Sequence, residues 1–109
     1  MFSMTRSKII AVDFDGTLCE NNWPDIGEPR YEIIDYCKKQ QDKGARLILW
    51  TCRRDELLEN AINWCMSYGL IFDAANVNLP DTIRWMGGDS RKIFADEYID
   101  DRMNKQFDF

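Results

Sequence analysis

Lys8-Ile9-Ile10-Ala11-Val12-Asp13-Phe14-Asp15-Gly16-Thr17 reads as a strand that is apolar on both faces and stops on paired carboxylates. A strand over residues 8–14 without polar alternation belongs in a parallel sheet covered on both sides. Asp13 and Asp15 then sit at its carboxyl end, where charge is costly unless something engages it. Gly16 permits a sharp backbone turn and exposes amides beside those carboxylates. A hard cation together with a phosphate is a partner of the required chemistry.

Working outward, residues 19–28 form a polar loop with Trp23-Pro24 and Gly27. Pro29 suits a first helical turn, and Ile33, Ile34 and Cys37 mark a helical stripe that Gly44 ends. Leu47-Ile48-Leu49-Trp50 is a second apolar strand, running into Thr51. From Asp55 a second helix presents Leu58, Ala61, Ile62 and Cys65 on one face, up to Gly69. Residues 71–77 hold a short third strand, weakened by alanines and asparagine. Residues 80–89 read as irregular with one helical turn, and residues 90–95 as a short helix. Tyr98-Ile99 is a last strand ending on Asp100-Asp101. Strands alternating with helices predict an α/β fold: three-layer and Rossmann-like, with a short parallel sheet of about four strands and right-handed crossovers. In such sheets ligands bind beyond the carboxyl ends of the strands. Asp13, Thr51 and Asp100 all fall there.

The 109 residues suit a single domain, 1–109, with enough aliphatic and aromatic content for a core. A net charge of −5 disfavours a broad nucleic-acid-binding face. The four cysteines lack CxxC spacing and there is no histidine, which argues against a zinc site. Thiols within or beside apolar segments act as small hydrophobes, and a reducing cytoplasm is the expected compartment. No apolar run near the start is long enough for a signal peptide or a membrane span.

The polar groups gathered at that edge suggest phosphoryl chemistry. Asp13, Asp15, Asp100 and Asp101 repel one another unless a cation such as magnesium takes their oxygens. A carboxylate can attack phosphorus and form an aspartyl-phosphate. Asp13, ending the rigid strand, is the candidate nucleophile, and Asp15 the candidate acid and base. Gly16 and Thr17 offer backbone amides and a hydroxyl. Thr51 and Lys92 are candidate clamps for the phosphoryl group, with Arg91 an alternative to Lys92. Cys52 and Arg53 extend the candidate substrate contacts. Trp23 in the loop, and Asn76 and Asn78 after the third strand, are further candidates at the rim.

These motifs resemble those of the haloacid dehalogenase-like (HAD) superfamily of phosphatases. Asp13 to Thr17 matches its DxDGT motif, and Thr51 its Thr or Ser after the next strand. Lys92 matches its lysine, and Asp100-Asp101 its paired aspartates after a strand. The resemblance spans residues 8–101. It implies magnesium held by Asp13, the backbone carbonyl of Asp15, Asp100 and Asp101, with Asp13 as nucleophile and Asp15 as acid/base. It also implies that the loop after the first motif is a hairpin flap. Neither residues 18–28 nor residues 78–89 can fold as a cap domain, so the chain resembles the capless branch, whose sites are open. The expected partner is a phosphorylated small molecule. Thr51-Cys52-Arg53 also resembles the Ser-Gly-Arg segment of the polynucleotide 3′-phosphatase domain, which makes a nucleotide or nucleic-acid 3′ end the alternative substrate. A homo-oligomer closing the site is a further expectation, with Phe107 and Phe109 either packing at such a contact or, more plainly, forming a docked or frayed terminus. A catalytically silent binding or assembly protein on the same fold is the alternative of another class.

Overall fold

A computed structural model describes residues 6–102 of the chain. Phe107 and Phe109 lie outside the described residues. The elements in order are β1 (Ile9–Val12), β2 (Cys19–Asn22), β3 (Asp25–Pro29), α1 (Tyr31–Asp42), β4 (Arg46–Leu49), α2 (Asp55–Ser67), β5 (Ala74–Ala75), α3 (Pro80–Met86) and β6 (Glu97–Ile99). The main sheet runs β5-β4-β1-β6, and every neighbouring pair in it is parallel. This is the mixed α/β, Rossmann-like arrangement that the strand–helix alternation predicts.

Topology follows from handedness. The chain steps from β1 to β4 and on to β5 in one direction, so right-handed crossovers place α1 and α2 on the same face. The return across the sheet to β6 reverses direction and places residues 79–95 on the other face. Side chains divide accordingly. Ile10, Val12, Leu47 and Leu49 pack with Ile34 and Cys37 of α1 and with Ala61 and Cys65 of α2. Ile9, Ala11 and Ile48 pack with Leu79 and Ile93 on the opposite face. β1 is buried along its whole length, as its unbroken apolar run requires. Cys19, Cys37 and Cys65 are buried free thiols, whereas Cys52 is exposed.

Residues 19–29 are an antiparallel hairpin, β2–β3, with Asn22 opposite Asp25 at its tip, as the resemblance implies for the loop after the first motif. Four elements differ from the sequence expectation. Pro29 closes β3 instead of opening α1. The third strand shrinks to Ala74–Ala75, at the sheet edge where Ile71 and Val77 are exposed. Residues 80–86 are helical, with Pro80 in the first turn and left-handed Gly87 as the stop, a signature that the sequence carried. Residues 90–95 are not a helix. There the Phe94 amide donates to Asn78 Oδ1 (2.7 Å) and the Ala95 amide to the Tyr98 hydroxyl (3.2 Å). The Ser90 carbonyl accepts from Asn78 Nδ2 (3.2 Å). Side chains thus take the backbone groups that a helical ladder would have used.

Candidate functional site

The sheet order has one switch point, between β1 and β6, where chain direction across the sheet reverses. That is where open α/β sheets place their ligands. The Asp13 amide extends the ladder there by donating to the Ile99 carbonyl at 2.9 Å. Asp13 and Asp100 therefore leave adjacent strands side by side. One carboxylate oxygen from each of Asp13, Asp100 and Asp101 lies within 4.8 Å of the other two. All three residues are partly buried.

The electrostatics of this cluster are unbalanced. Burial pushes the Asp13 carboxyl up to about 6, and Asp100, Asp101 and Asp15 add to the rise, while a backbone hydrogen bond at Phe14 opposes it. Among the described residues, the ion pairs join Arg6 to Asp96, Lys8 to Glu97, Arg30 to Glu32, Arg46 to Asp81 and Arg53 to Asp15. None of them reaches the cluster. Three carboxylates gathered without a cationic side chain are oxygen donors that a hard cation could share.

The turn after β1 is built to bring the last motif close. Gly16 adopts φ +87°, and a Cβ there would lie 2.9 Å from Asp101 Oδ2. Thr17 is buried, and its hydroxyl accepts the Asp101 amide at 3.1 Å. Thr17 therefore ties the first motif to the last, with its hydroxyl committed to the Asp101 amide. Asp100 accepts the Arg102 amide at 2.9 Å as the chain turns helical at Asp101. Arg30 donates to the Gly16 carbonyl at 2.8 Å. A cleft of about 290 Å³ lies beside Asp100 and Asp101, lined also by Gly16, Thr17, Arg30 and Ile33.

The other expected site residues are placed as follows. The Thr51 amide is engaged by Asn76 Oδ1 at 2.8 Å, and its hydroxyl accepts the Arg53 amide at 3.1 Å. Thr51 retains its hydroxyl proton for a ligand but not its amide. Asn76, in the left-handed region at φ 59°, also donates to the Arg53 carbonyl, so it braces the loop after β4. Asn78 is buried and bonds Asp89, Ser90 and Phe94, fixing the segment that carries Lys92. Both asparagines thus support loops and do not line the opening. Lys92 is exposed, with Nζ 5.9 Å from the centroid of the Tyr98 ring, which packs on Trp50. Cys52 is exposed in the same β4 loop.

Asp15 and Arg53 form a pair that the sequence did not reveal. Arg53 Nε and Nη2 each donate to one Asp15 carboxylate oxygen at 2.8 Å. Arg53 is 1% exposed, with its guanidinium carbon 5.0 Å from the Phe14 ring centroid and 5.1 Å from that of Trp23. An arginine two residues past Thr51 looks like an exposed anion clamp in the sequence. Here its guanidinium is committed inside the fold, so it offers nothing to a second phosphate on a nucleic-acid end.

The fold and this edge define a small Rossmann-like α/β protein with a carboxylate cluster at its switch point. No protein-family model matches the chain, and no curated protein matches it. A solved structure, described as the conserved protein coded by locus from Bacteroides thetaiotaomicron, is similar at TM-score 0.78 and 46% identity. The match covers 89% of this chain and 78% of that one. The chain belongs to the same family as that conserved protein, whose description carries no activity.

Proposed function

We propose that this chain is a magnesium-dependent phosphomonoesterase of the HAD type, working through an aspartyl-phosphate on Asp13. The observation that supports the reading most is the convergence of Asp13, Asp100 and Asp101 at the switch point of a parallel sheet, with no basic partner among the described residues. Magnesium, held by those carboxylates and the Asp15 carbonyl, would shield the phosphoryl oxygens from the acidic cluster.

The chain's own residues supply the remaining chemistry. An Asp13 carboxylate oxygen attacks phosphorus, and the bond from phosphorus to the ester oxygen breaks. Asp15 enters this step protonated, holding the proton taken from water in the preceding turnover, and gives it to the departing oxygen. In the second half, water attacks the aspartyl-phosphate, Asp15 takes a proton from it, and Asp13 and inorganic phosphate are released. The Thr51 hydroxyl and Lys92 bind the transferring phosphoryl group and offset its developing charge. Among the described residues the edge carries a hairpin and no cap domain, so the site is open and a phosphorylated substrate approaches it from solvent.

The test is hydrolysis of 4-nitrophenyl phosphate by the purified chain with magnesium. Turnover that disappears on chelation and in Asp13→Asn supports the reading. A folded wild type that is inactive across a broad ester panel and forms no adduct with beryllium fluoride would return the chain to a binding role. Faster release from a 3′-phosphorylated oligonucleotide than from small esters would redirect the substrate assignment.

A further inference from the structure

Arg53 is the largest fully buried side chain among the described residues that is also charged. It does not sit in the core by accident of packing, because its surroundings are built for a guanidinium. Two parallel charge-assisted bonds join it to both oxygens of Asp15. Nη2 also donates to the Asp25 carbonyl at 3.0 Å, at the tip of the hairpin. Phe14 lies against it on one side and Trp23, from the same tip, on the other. Its own backbone is held by Thr51 and Asn76. One side chain therefore connects the hairpin, the loop after β4 and the motif after β1.

This arrangement separates two roles for an arginine at this position. A substrate clamp must present donors to solvent. The Arg53 side chain is 0% exposed, and its remaining nitrogen, Nη1, is buried and faces no partner. An external phosphate reaches none of these atoms while Trp23 is in place. What Arg53 does control is the direction of the Asp15 carboxylate, since a bidentate pair fixes both its position and its plane.

We propose that Arg53 is a positioning residue: clamped between Phe14 and Trp23, it sets the orientation of the Asp15 carboxylate, so that the hairpin tip governs proton transfer to the leaving group. This rests on the phosphatase reading above and assigns Arg53 and Trp23 parts in it. The covalent steps are unchanged. Arg53 forms no bond to substrate and moves no proton of its own.

A leaving-group series separates this role from clamping and from simple structural support. Esters that leave poorly need the Asp15 proton, whereas 4-nitrophenolate leaves without it. General acid catalysis contributes on the order of 100-fold or more. Arg53→Lys keeps the charge but cannot form the fork. It is expected to lower kcat/KM for phenyl phosphate by about 100-fold and for 4-nitrophenyl phosphate by less than about fivefold. Trp23→Leu removes the outer wall at an exposed position and is expected to show the same ordering at about a tenth of the size. It carries the test should Arg53→Lys fail to fold. Trp85→Ala, far from this edge, serves as the control. A fall of equal size for both esters means clamping and overturns the proposal, as does no change in either variant. A second readout is independent of turnover. The Arg53 Nε–H resonance in 15N NMR is expected to be protected from exchange, and to lose that protection in Asp15→Asn. Rapid exchange in the wild type overturns the pairing itself. A wild type that hydrolyses neither ester removes the phosphatase reading and this proposal together. A wild type active on both, with uniform loss in the variants, removes this proposal alone.

Discussion

Replacing Asp13 with Asn is expected to stabilise the metal-free fold while it abolishes turnover. The Asp13 carboxyl rises from an ordinary 3.8 to about 6, mainly through burial and then through the neighbouring aspartates. At about 1.4 kcal/mol per pH unit, that rise corresponds to about 3 kcal/mol of destabilisation once the group is charged in both states. Partial solvation of Asp13 reduces the figure to about 1–2 kcal/mol. The sign follows from proton binding. Between pH 3.8 and about 6 the folded state holds the proton more tightly than the unfolded chain, so stability falls as pH rises through that window. Below the window both states are protonated and the difference vanishes. Urea unfolding in a chelating buffer, from pH 4 to pH 7.5, measures it. The variant should exceed the wild type by about 1–2 kcal/mol at the upper end, with the gap closing toward the lower end. Magnesium should then raise the wild-type midpoint more than that of the variant. A variant less stable at neutral pH, or a gap that does not change with pH, would refute the account of an unbalanced carboxylate cluster.

Three further outcomes test the site and its supports. Gly16→Ala places a Cβ 2.9 Å from Asp101 Oδ2 at a left-handed φ of +87°; calorimetry should show weaker magnesium binding, and urea unfolding a loss of about 1–3 kcal/mol. Asn78→Ala removes the side-chain bonds to Asp89, to the Ser90 carbonyl and to the Phe94 amide, leaving Asp89 only the backbone amide of residue 78. It should cost about 2–3 kcal/mol by urea unfolding and lower kcat by loosening the segment of Lys92. Iodoacetamide should label exposed Cys52 in the folded protein, read by mass spectrometry. Cys37 and Cys65, whose thiols burial pushes up to about 12, should react only after denaturant is added.

Much of the architecture was legible in local pattern. The run from Ile9 to Val12 declared a strand buried on both faces, and Leu58, Ala61, Ile62 and Cys65 declared a helix, because periodicity is a property of neighbouring residues. Alternation of those elements fixed a parallel sheet. Parallel strands then carried Asp13, Thr51 and Asp100 to the same edge without any knowledge of side-chain contacts.

Tertiary structure decided what local pattern cannot encode. Residues 90–95 look helical until Asn78 and Tyr98, brought in by the fold, take their backbone groups. Thr17 reads as a ligand residue until β6 delivers the Asp101 amide to its hydroxyl. Arg53 reads as an open clamp until the β1 turn and the hairpin tip enclose it against Asp15. In each case the deciding partner is distant in sequence, and a hydrogen-bonding group goes to whichever partner the fold brings within reach. The sequence by itself thus determined which strands form and which polar groups gather at their ends. Only the folded chain determined which of those groups remain free at the edge, because that depends on contacts between segments that no local periodicity records.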